Sequence, residues 1–236
     1  VYQPKFDLKT GEITGYEALL RWRHPTFGLQ HPESVAESFL NFELSTKIGR
    51  LMHAAVFSDM AAGIVALGNG KRVAINASPA EFLRDDYAEL LIQRLRQFGI
   101  SGSDLEIEIT EQALADRHSL LISRALLKLR SEDIKIALDD FGTGQSSLAH
   151  LRDFPVSILK IDRSFIHRMG TEEGLNATVG AILALGRSLN IDVVAQGIET
   201  AAQLEQLKLM GCEFGQGFLL GRPLPSALLN GAAAAA

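Results

Sequence analysis

The chain has 236 residues, of which 47% are hydrophobic and 22% charged, a composition typical of a soluble globular domain with a full core. Its net charge of -5 excludes a general attraction to nucleic acid polymers or anionic membranes, so local positive groups must hold any anionic ligand. The single Cys212 excludes an internal disulfide framework and a cysteine-rich zinc site, and it suits a reducing compartment such as the cytoplasm.

Neither end of the chain carries a recognisable targeting segment. No apolar run approaches the roughly 20 residues that a membrane-spanning helix needs, so we expect no membrane contact by this domain itself. The chain begins at Val1 without a start methionine, so we expect a domain excised from a longer protein. We assign residues 1–230 to this one domain and residues 231–236, an alanine-rich run, to an artificial tail.

The N-terminal quarter predicts two strands and one helix. Residues 1–7 and about 12–22 have the pattern of strands joined by a turn at Lys9-Thr10-Gly11. Residues 24–32 are predicted to form a loop, since they contain glycine and two prolines. Apolar residues between 39 and 55 recur in steps of three and four, which predicts a helix.

After the break at Gly68-Asn69-Gly70, predicted strands and helices alternate. The predicted strands are short apolar runs at 72–76, 105–109, 134–138, 156–161, 191–195 and one beginning at 212–214. The predicted helices cover 78–98, a region through 120–129, a short segment from Ser146, then 172–189 and 200–210. Strands that alternate with helices pair in parallel through right-handed crossovers.

Together with the two N-terminal strands, these runs make eight strands. A (β/α)8 barrel is the economical way to close such a sheet, and an open doubly wound sheet is the alternative. No Gly-x-Gly-x-x-Gly turn follows an early strand, which weakens the dinucleotide-binding form of the alternative. The sequence therefore predicts an α/β barrel.

The stretch from Ile134 to Gly144 organises the rest of the sequence. An apolar run suited to a strand buried on both faces leads to Asp139 and Asp140 and then to a glycine-rich turn. Adjacent like charges raise each other's pKa unless a cation intervenes. Aspartate is also common where loops begin, but other predicted strands end in polar residues in the same way.

Polar side chains stand at the ends of the predicted strands. In chain order they are Glu17, Asn76, Glu108, Asp139 with Asp140, Lys160 with Asp162, Gln196 with Glu199, and Gln216. In a barrel all of these open on the C-terminal rim, where such folds build active sites. Taken singly, each has a structural explanation, such as a helix cap for Asn76 or a lysine reaching solvent for Lys160. Taken together they indicate a site, because the ends of buried parallel strands should not all be polar by chance.

The residue types in this set favour hard divalent cations. Carboxylates and an amide carbonyl suit Mg2+ or Mn2+ rather than zinc or copper. Asp139 and Asp140 allow one carboxylate to bridge two ions roughly 3.5–4 Å apart, the arrangement used for displacement at phosphorus. Two divalent ions would cancel the four carboxylates of the metal set and leave Lys160 and Arg21 to receive an anionic phosphodiester. The histidines lie in predicted loops or helices and look unrelated to this set: His24, His31, His53, His118, His150 and His167.

The sequence resembles the EAL-domain family over essentially all residues up to Pro225, with the family's motifs in the same order along the chain. The motifs that carry the resemblance are Tyr2-Gln3-Pro4, Glu17-Ala18-Leu19, Glu108-Ile109-Thr110-Glu111, Asp139-Asp140-Phe141-Gly142-Thr143-Gly144, Leu159-Lys160-Ile161-Asp162 and Gln216-Gly217-Phe218. The resemblance implies a modified TIM barrel whose opening strand runs antiparallel to the others. It also implies a bacterial phosphodiesterase that cuts cyclic di-GMP to the linear dinucleotide pGpG.

The resemblance assigns roles to the strand-end residues. It implies that one ion is held by Glu17, Asn76, Glu108 and Asp139, and that a second is shared by Asp139 and Asp140. Lys160 would lie beside the attacking water, and Arg21 would grip a substrate phosphate. Groups lining the nucleotide or the water would be Gln3, Asp162, Glu199 and Gln216.

The resemblance also implies partners and a regulatory loop. Glu111 resembles the carboxylate that tethers the loop Phe141 to Ser147, whose order the family links to dimerisation and activity. We therefore expect a homodimer, formed through helices near this loop, and other regulatory domains in the full-length protein.

One residue departs from the family pattern. The usual Ala-Glu-Gly-Val-Glu-Thr segment is here Ala195-Gln196-Gly197-Ile198-Glu199-Thr200, so an uncharged amide replaces a carboxylate needed for turnover. Gln196 should be a poorer ligand for a hard ion, which predicts a weakened second ion and reduced activity. A weak or binding-only natural variant and a substitution made to trap substrate both remain open. A receptor for cyclic di-GMP is the alternative function, and an enzyme acting on another phosphoester is a third.

Overall fold

The computed structural model describes residues 1–32, 34, 36, 39, 41–65, 68, 70–114, 119–143, 151, 153–170 and 174–232. Its strands are β1 Tyr2–Asp7, β2 Ile13–Ala18, β3 Trp22–His24, β4 Gly28–Gln30, β5 Arg72–Asn76, β6 Leu105–Thr110, β7 Lys135–Phe141, β8 Ile158–Ile161, β9 Asp192–Gln196 and β10 Phe214–Gln216. Its α-helices are α1 Phe42–Ala61, α2 Tyr87–Phe98, α3 Glu111–Leu114, α4 Ser119–Arg130, α5 Arg163–His167, α6 Leu175–Leu189, α7 Ala201–Leu209 and α8 Ser226–Ala232.

Eight of these strands close into a barrel in the order β1-β10-β9-β8-β7-β6-β5-β2. The strand β1 runs antiparallel to both of its neighbours, β2 and β10. The remaining neighbours all pair in parallel. The predicted modified TIM barrel is confirmed, and the open doubly wound sheet is excluded because the sheet has no free edge.

The apolar strand runs explain why the barrel closes. Residues on both faces of β6 and β7 are buried, as expected for parallel strands covered inside and outside. Helix α6 packs its buried residues Val179, Ile182 and Leu183 against the core, and Asn190 ends it in the left-handed conformation. No helix in the described part of the chain is long and apolar enough to cross a membrane.

Several predicted boundaries are wrong. The predicted strand 12–22 ends at Ala18, and the predicted loop 24–32 contains part of a separate two-stranded sheet of β3 and β4. The predicted helix 78–98 is divided, because Ser78 and Glu81 form a capping box that starts a 3-10 turn at Pro79–Leu83 before α2 begins.

Other elements differ from the prediction, and some predictions fall on residues that the structure does not describe. The short helix α5 was not predicted, since five residues give too little periodicity to recognise. Helix α8 continues to Ala232, two residues into the run assigned to the tail. Ser146, where a short helix is predicted to begin, lies outside the described residues. His118, His150 and residues 233–236 lie outside them too.

Glu81 joins the turn after β5 to helix α1. Its carboxylate accepts from the Ser78 N–H at 3.1 Å, and it faces Gly49, where an added Cβ would lie 2.1 Å from Oε1. His53, one turn further along α1, places Nε2 3.9 Å from the same oxygen. Burial raises the pKa of Glu81 to about 7, although the Ser78 hydrogen bond and the Arg94 charge oppose the rise.

This raised pKa predicts a pH-dependent stability. The folded-state pKa lies above the ordinary value of 4.5, so the stability it contributes is fully present below that value and is lost as pH rises through 7. Glu81→Gln cannot ionise, so its free energy of unfolding relative to the wild type should be about 1–3 kcal/mol higher at about pH 8 than at about pH 5. Urea unfolding at both pH values measures this, and Glu89→Gln, on the exposed face of α2, is the control. An equal difference at both pH values would refute the prediction.

Two glycines of α6 provide a matched test of how tightly this helix packs on the barrel. A Cβ at Gly186 would lie 2.3 Å from Val193 Cγ2, whereas the nearest atom to a Cβ at Gly180 is Met210 Cε at 3.6 Å. Gly186→Ala should therefore lower the free energy of unfolding by about 1–3 kcal/mol. Gly180→Ala should leave it unchanged or raise it by up to about 1 kcal/mol, because alanine favours the helix. Chemical denaturation of both variants checks this, and equal effects would contradict it.

Candidate active site

The polar strand ends predicted from the sequence meet at one mouth of the barrel. The register places them side by side, with these pairs opposite each other: Gln3 and Glu17, Asn76 and Glu108, Gln216 and Gln196. Parallel strands end together, so their last inward-facing side chains share one face of the barrel. The mouth is therefore built from at least six different strands.

A cavity of about 470 Å3 opens at this mouth, within the size range of small-molecule sites. The predicted residues that line it are Gln3, Glu17, Asp140, Asp162, Gln196, Glu199 and Gln216. Glu108, Asp139 and Lys160 do not line the cavity but are buried below it. Lys160 contacts Glu17 and Asp139 contacts Gln196, both of which line the cavity, while Glu108 contacts Lys160. We call these three buried residues, together with the Glu17 carboxylate, the floor of the site.

The ammonium group of Lys160 occupies the centre of that floor. Its Nζ lies 2.5 Å from Glu108 Oε2, 3.3 Å from Glu17 Oε2 and 3.3 Å from Asp139 Oδ1. The side chain has no exposed surface, so these contacts are not weakened by solvent. Three carboxylates thus converge on one cation.

The electrostatics follow from this crowding. Burial alone would raise the pKa of Glu17, but the Lys160 ammonium and hydrogen bonds from two neighbouring amides lower it to about 2. Burial and the charge of Glu17 raise the pKa of Glu108 well above its usual range. Burial opposes the charge on Lys160, but the three carboxylates raise its pKa well above the ordinary value. The floor holds more carboxylate than one lysine can neutralise.

Amide side chains orient Glu17. Asn76 Nδ2 donates to Glu17 Oε1 at 3.1 Å, and Gln216 Nε2 donates to Glu17 Oε2 at 2.8 Å. Gln216 also donates to Gln3 Oε1 at 3.0 Å, and Gln3 donates in turn to the Gly221 carbonyl. This chain of hydrogen bonds ties the floor to the cavity wall.

Gln196 is hydrogen-bonded to the floor as a donor. Its Nε2 donates to Asp139 Oδ1 at 3.0 Å, an oxygen that also accepts from the Asp140 N–H at 3.1 Å. Lys160 lies 3.3 Å from the same oxygen, so Asp139 Oδ1 is surrounded by three donors. A glutamate at position 196 would place a carboxylate against Asp139 instead of an amide N–H.

A bulge lets two successive aspartates serve the same mouth. Side chains along a regular strand point to alternate faces, but Asp140 adopts a left-handed φ of 54° and the register of β7 with β8 shifts there. Asp139 therefore faces the floor while Asp140 lines the cavity. Burial, together with the charges of Asp139 and Asp162, raises the pKa of Asp140 to about 6.

Besides Asn76, which contacts Glu17, two predicted residues do not line the cavity and are not part of its buried floor. Glu111 Oε2 accepts from the Gly142 N–H at 3.0 Å, which holds the described end of the glycine loop. Residues 144–147 of that loop lie outside the described residues. Arg21 does not line the cavity, and its Nη1 donates to the Leu20 carbonyl at 2.7 Å.

The cavity lining also includes residues to which sequence reasoning gave no role, among them Arg163, His167 and Phe218, the last of which belongs to the Gln216-Gly217-Phe218 motif. His167 Nε2 lies 3.5 Å from Glu199 Oε1, and the Arg222 guanidinium lies 4.7 Å from the Phe218 ring centre. Arg163 and His167 are four residues apart on α5, so they share one helix face. Recognising α5 directly after Asp162 would have placed both at the mouth.

The donor set fits hard divalent cations. Its members are carboxylate and amide oxygens, and Glu108 Oε1 and Gln196 Oε1 are buried without a hydrogen-bond partner among the described residues. No three acidic, histidine or cysteine side chains in the described ranges form a metal cage as they stand. The Lys160 ammonium lies between the carboxylates of Glu17, Glu108 and Asp139. An ion held by these oxygens would compete with Lys160.

Comparison with known proteins decides the family. The family model described as the EAL domain matches residues 1–223. The chain belongs to the EAL-domain family. The bifunctional diguanylate cyclase/cyclic di-GMP phosphodiesterase MucR of Pseudomonas aeruginosa is 38% identical over 226 residues, which cover 95% of this chain and 33% of MucR. The chain spans about a third of the length of the curated relatives it matches.

Solved structures of EAL domains agree with the fold. A PaMucR phosphodiesterase in complex with c-di-GMP matches with a TM-score of 0.90 at 37% identity, covering 97% of this chain and 92% of that chain. Klebsiella pneumoniae BlrP1, in a manganese and cyclic di-GMP complex, matches with a TM-score of 0.82 at 27% identity, covering 95% of this chain and 55% of that one.

The charged floor predicts a strong effect of removing its cation. Lys160→Met leaves buried carboxylates without their partner, so we expect the free energy of unfolding to fall by about 3–5 kcal/mol in metal-free buffer. The double variant Glu108→Gln/Lys160→Met also removes one of those buried carboxyl groups and should recover part of the loss. Denaturant unfolding of the two variants and the wild type measures both effects. A single variant as stable as the wild type would show that the lysine does not neutralise the floor.

Proposed function

We propose that this domain is a metal-dependent phosphodiesterase that hydrolyses cyclic di-GMP to linear pGpG, with turnover reduced by Gln196. The observation that carries the proposal is the convergence of Glu17, Glu108 and Asp139 on one buried point below a ligand-sized cavity. Membership of the EAL-domain family, and relatives named as cyclic di-GMP phosphodiesterases, support the substrate and the reaction.

The floor carboxylates and Asn76 would hold the metal. Oxygens of Glu17, Asn76, Glu108 and Asp139 would bind one Mg2+ or Mn2+, and Asp139 with Asp140 would bind a second, weaker one. Bound there, the ions would lower the pKa of a water and stabilise negative charge on the phosphate. The manganese complex of BlrP1 supports this choice of ion.

Lys160 would have two roles in the proposed reaction. Its ammonium contacts the Glu108 and Glu17 carboxylates and offsets part of the negative charge of the floor. When cations take over those oxygens, the flexible lysine chain is free to turn its N–H groups toward the attacking water or the phosphate. It would then orient the nucleophile and offset charge that develops in the transition state.

The cavity wall would bind the dinucleotide. Gln3, Asp162, Glu199 and Gln216 offer donors and acceptors around the cavity, and we assign them to the nucleotide or the water. Arg21 would have to leave its contact with the Leu20 carbonyl to grip a phosphate. Glu111 would act indirectly, by holding the glycine loop through the Gly142 N–H.

Gln196 gives a physical reason for reduced turnover. Its amide N–H occupies Asp139 Oδ1, one of the carboxylate oxygens of the Asp139–Asp140 pair that would hold the second ion, and the amide brings no charge of its own. The same hydrogen bond favours the second candidate function. If this hydrogen bond stabilises the mouth without a second ion, the domain could bind cyclic di-GMP and pass the signal to a partner domain without hydrolysing the ligand.

The setting of the domain is also a proposal. We infer that it acts in the cytoplasm within a longer protein that carries other regulatory domains, consistent with its covering a third of its relatives. Homodimerisation near the glycine loop would link the Glu111 tether to activity.

Replacing the amide by a carboxylate tests both functions at once. Gln196→Glu should raise kcat for cyclic di-GMP hydrolysis with Mg2+ or Mn2+ by about 10- to 100-fold, because it restores a ligand and removes a competing donor. The affinity for cyclic di-GMP should change little. Product formation followed by chromatography, with binding followed by calorimetry, measures the two separately.

A matched substitution on the next strand controls for charge alone. Gln216→Glu makes the same chemical change but turns a donor to Glu17 into a carboxylate facing it, so activity should fall. Tight binding with no turnover in either the wild type or Gln196→Glu would establish the receptor instead. Failure of both forms to bind cyclic di-GMP would point to another phosphoester.

A further inference from the structure

A second, much smaller cavity lies outside the barrel, between α1, the Pro79–Leu83 turn and α2. Its volume is about 20 Å3, which is the space that one water molecule occupies. It shares no lining residue with the mouth cavity. Its polar walls include Thr46 and His53 of α1, Glu81 of the turn and Tyr87 of α2.

Polar atoms at this cavity lack partners. Thr46 Oγ1, His53 Nε2 and Tyr87 Oη are buried and make no hydrogen bond to any residue that the structure describes. All three residues are more than nine-tenths buried. Such atoms are rare in folded proteins, because a buried donor or acceptor that leaves water without a new partner is costly.

The distance between His53 and Glu81 indicates what is missing. Nε2 and Oε1 are 3.9 Å apart, which is too far for a hydrogen bond but can be spanned by one molecule that bonds to both. The ring of His53 also lies near that of Tyr87, with centroids 6.4 Å apart, and both side chains line the cavity together with Thr46.

The charges around the cavity repel cations. Burial and the nearby charge of Arg94 disfavour protonated His53 and lower the pKa of the imidazole to about 4. Arg50 and Arg84 line the cavity together with Arg94, so a further cation would meet three positive charges. An anion would meet the Glu81 carboxyl group and would have to fit a volume of about 20 Å3. Water donates two hydrogen bonds and accepts two, which matches an imidazole nitrogen, a carboxyl group and two hydroxyls.

We propose that this cavity binds one ordered water, held by His53 Nε2, the Glu81 carboxyl group and the hydroxyls of Thr46 and Tyr87. The water joins α1, α2 and the turn that follows β5 into one hydrogen-bonded unit. Because Glu81 caps Ser78, two residues beyond Asn76, the unit braces the end of the strand that supplies Asn76 to the mouth.

A high-resolution crystal structure of the wild type and of Thr46→Val/Tyr87→Phe tests the site directly. The double variant removes two hydroxyls with little change of shape. We expect one density peak within about 2.6–3.2 Å of His53 Nε2 in the wild type and no such peak in the variant. An empty cavity, direct contact between His53 and Glu81, or an anomalous peak from an ion would overturn the proposal.

The sign of a thermal shift gives an independent test. If water satisfies the hydroxyls, Thr46→Val and Tyr87→Phe should each lower Tm by about 2–4 °C, because each removes a hydrogen bond. If the cavity is dry, each removes an unsatisfied polar atom, and Tm should stay the same or rise. Ser45→Ala is the matched control, since Ser45 Oγ is buried and unpaired among the described residues but does not line the cavity. Its Tm should not fall, and a fall equal to that of the other variants would overturn the proposal.

Discussion

An excess of negative charge gathered at the buried mouth of the barrel is the constraint on which the rest of this structure depends. Three carboxylates contact the Lys160 ammonium, while Asp140 and Asp162 line the cavity above it. Like charges in a poorly solvated space repel one another strongly, and one lysine cannot neutralise them all. Such a mouth is prepared to take up additional positive charge, which is what a site for divalent cations requires.

Amide side chains donate hydrogen bonds to the carboxylates of the mouth. Asn76 of β5 and Gln216 of β10 both donate to Glu17, and Gln196 donates to Asp139. Each donor stabilises an ionised carboxylate, but each also occupies an oxygen that a metal could use. If the domain works as we propose, Gln196 would have opposite effects on two states, because it would stabilise the mouth without a second ion and hinder that ion from binding. Binding and turnover would then be separable properties of this domain.

Most of the barrel could be predicted, because each buried strand is a short apolar run ending in a polar residue. The bulge at Asp140 and the position of the Lys160 ammonium could not be predicted. A sequence pattern indicates a strand and the face on which each of its side chains lies, but not where the end of a long flexible side chain is placed. Helix α5 was missed because it is so short, and His167 was missed with it. The β3–β4 sheet was missed because Gly28 in β4, with Pro25 in the turn and Pro32 after β4, is equally typical of a loop.

The central claim is that the floor oxygens share divalent cations in place of Lys160. The most direct measurement is a crystal structure of the domain with Mn2+ and cyclic di-GMP, with the manganese located by anomalous scattering. The account predicts a peak bonded to oxygens of Glu17, Asn76, Glu108 and Asp139, with Lys160 Nζ moved off the Glu108 carboxylate. Bound cyclic di-GMP with no manganese among these oxygens, and Lys160 still between them, would contradict it.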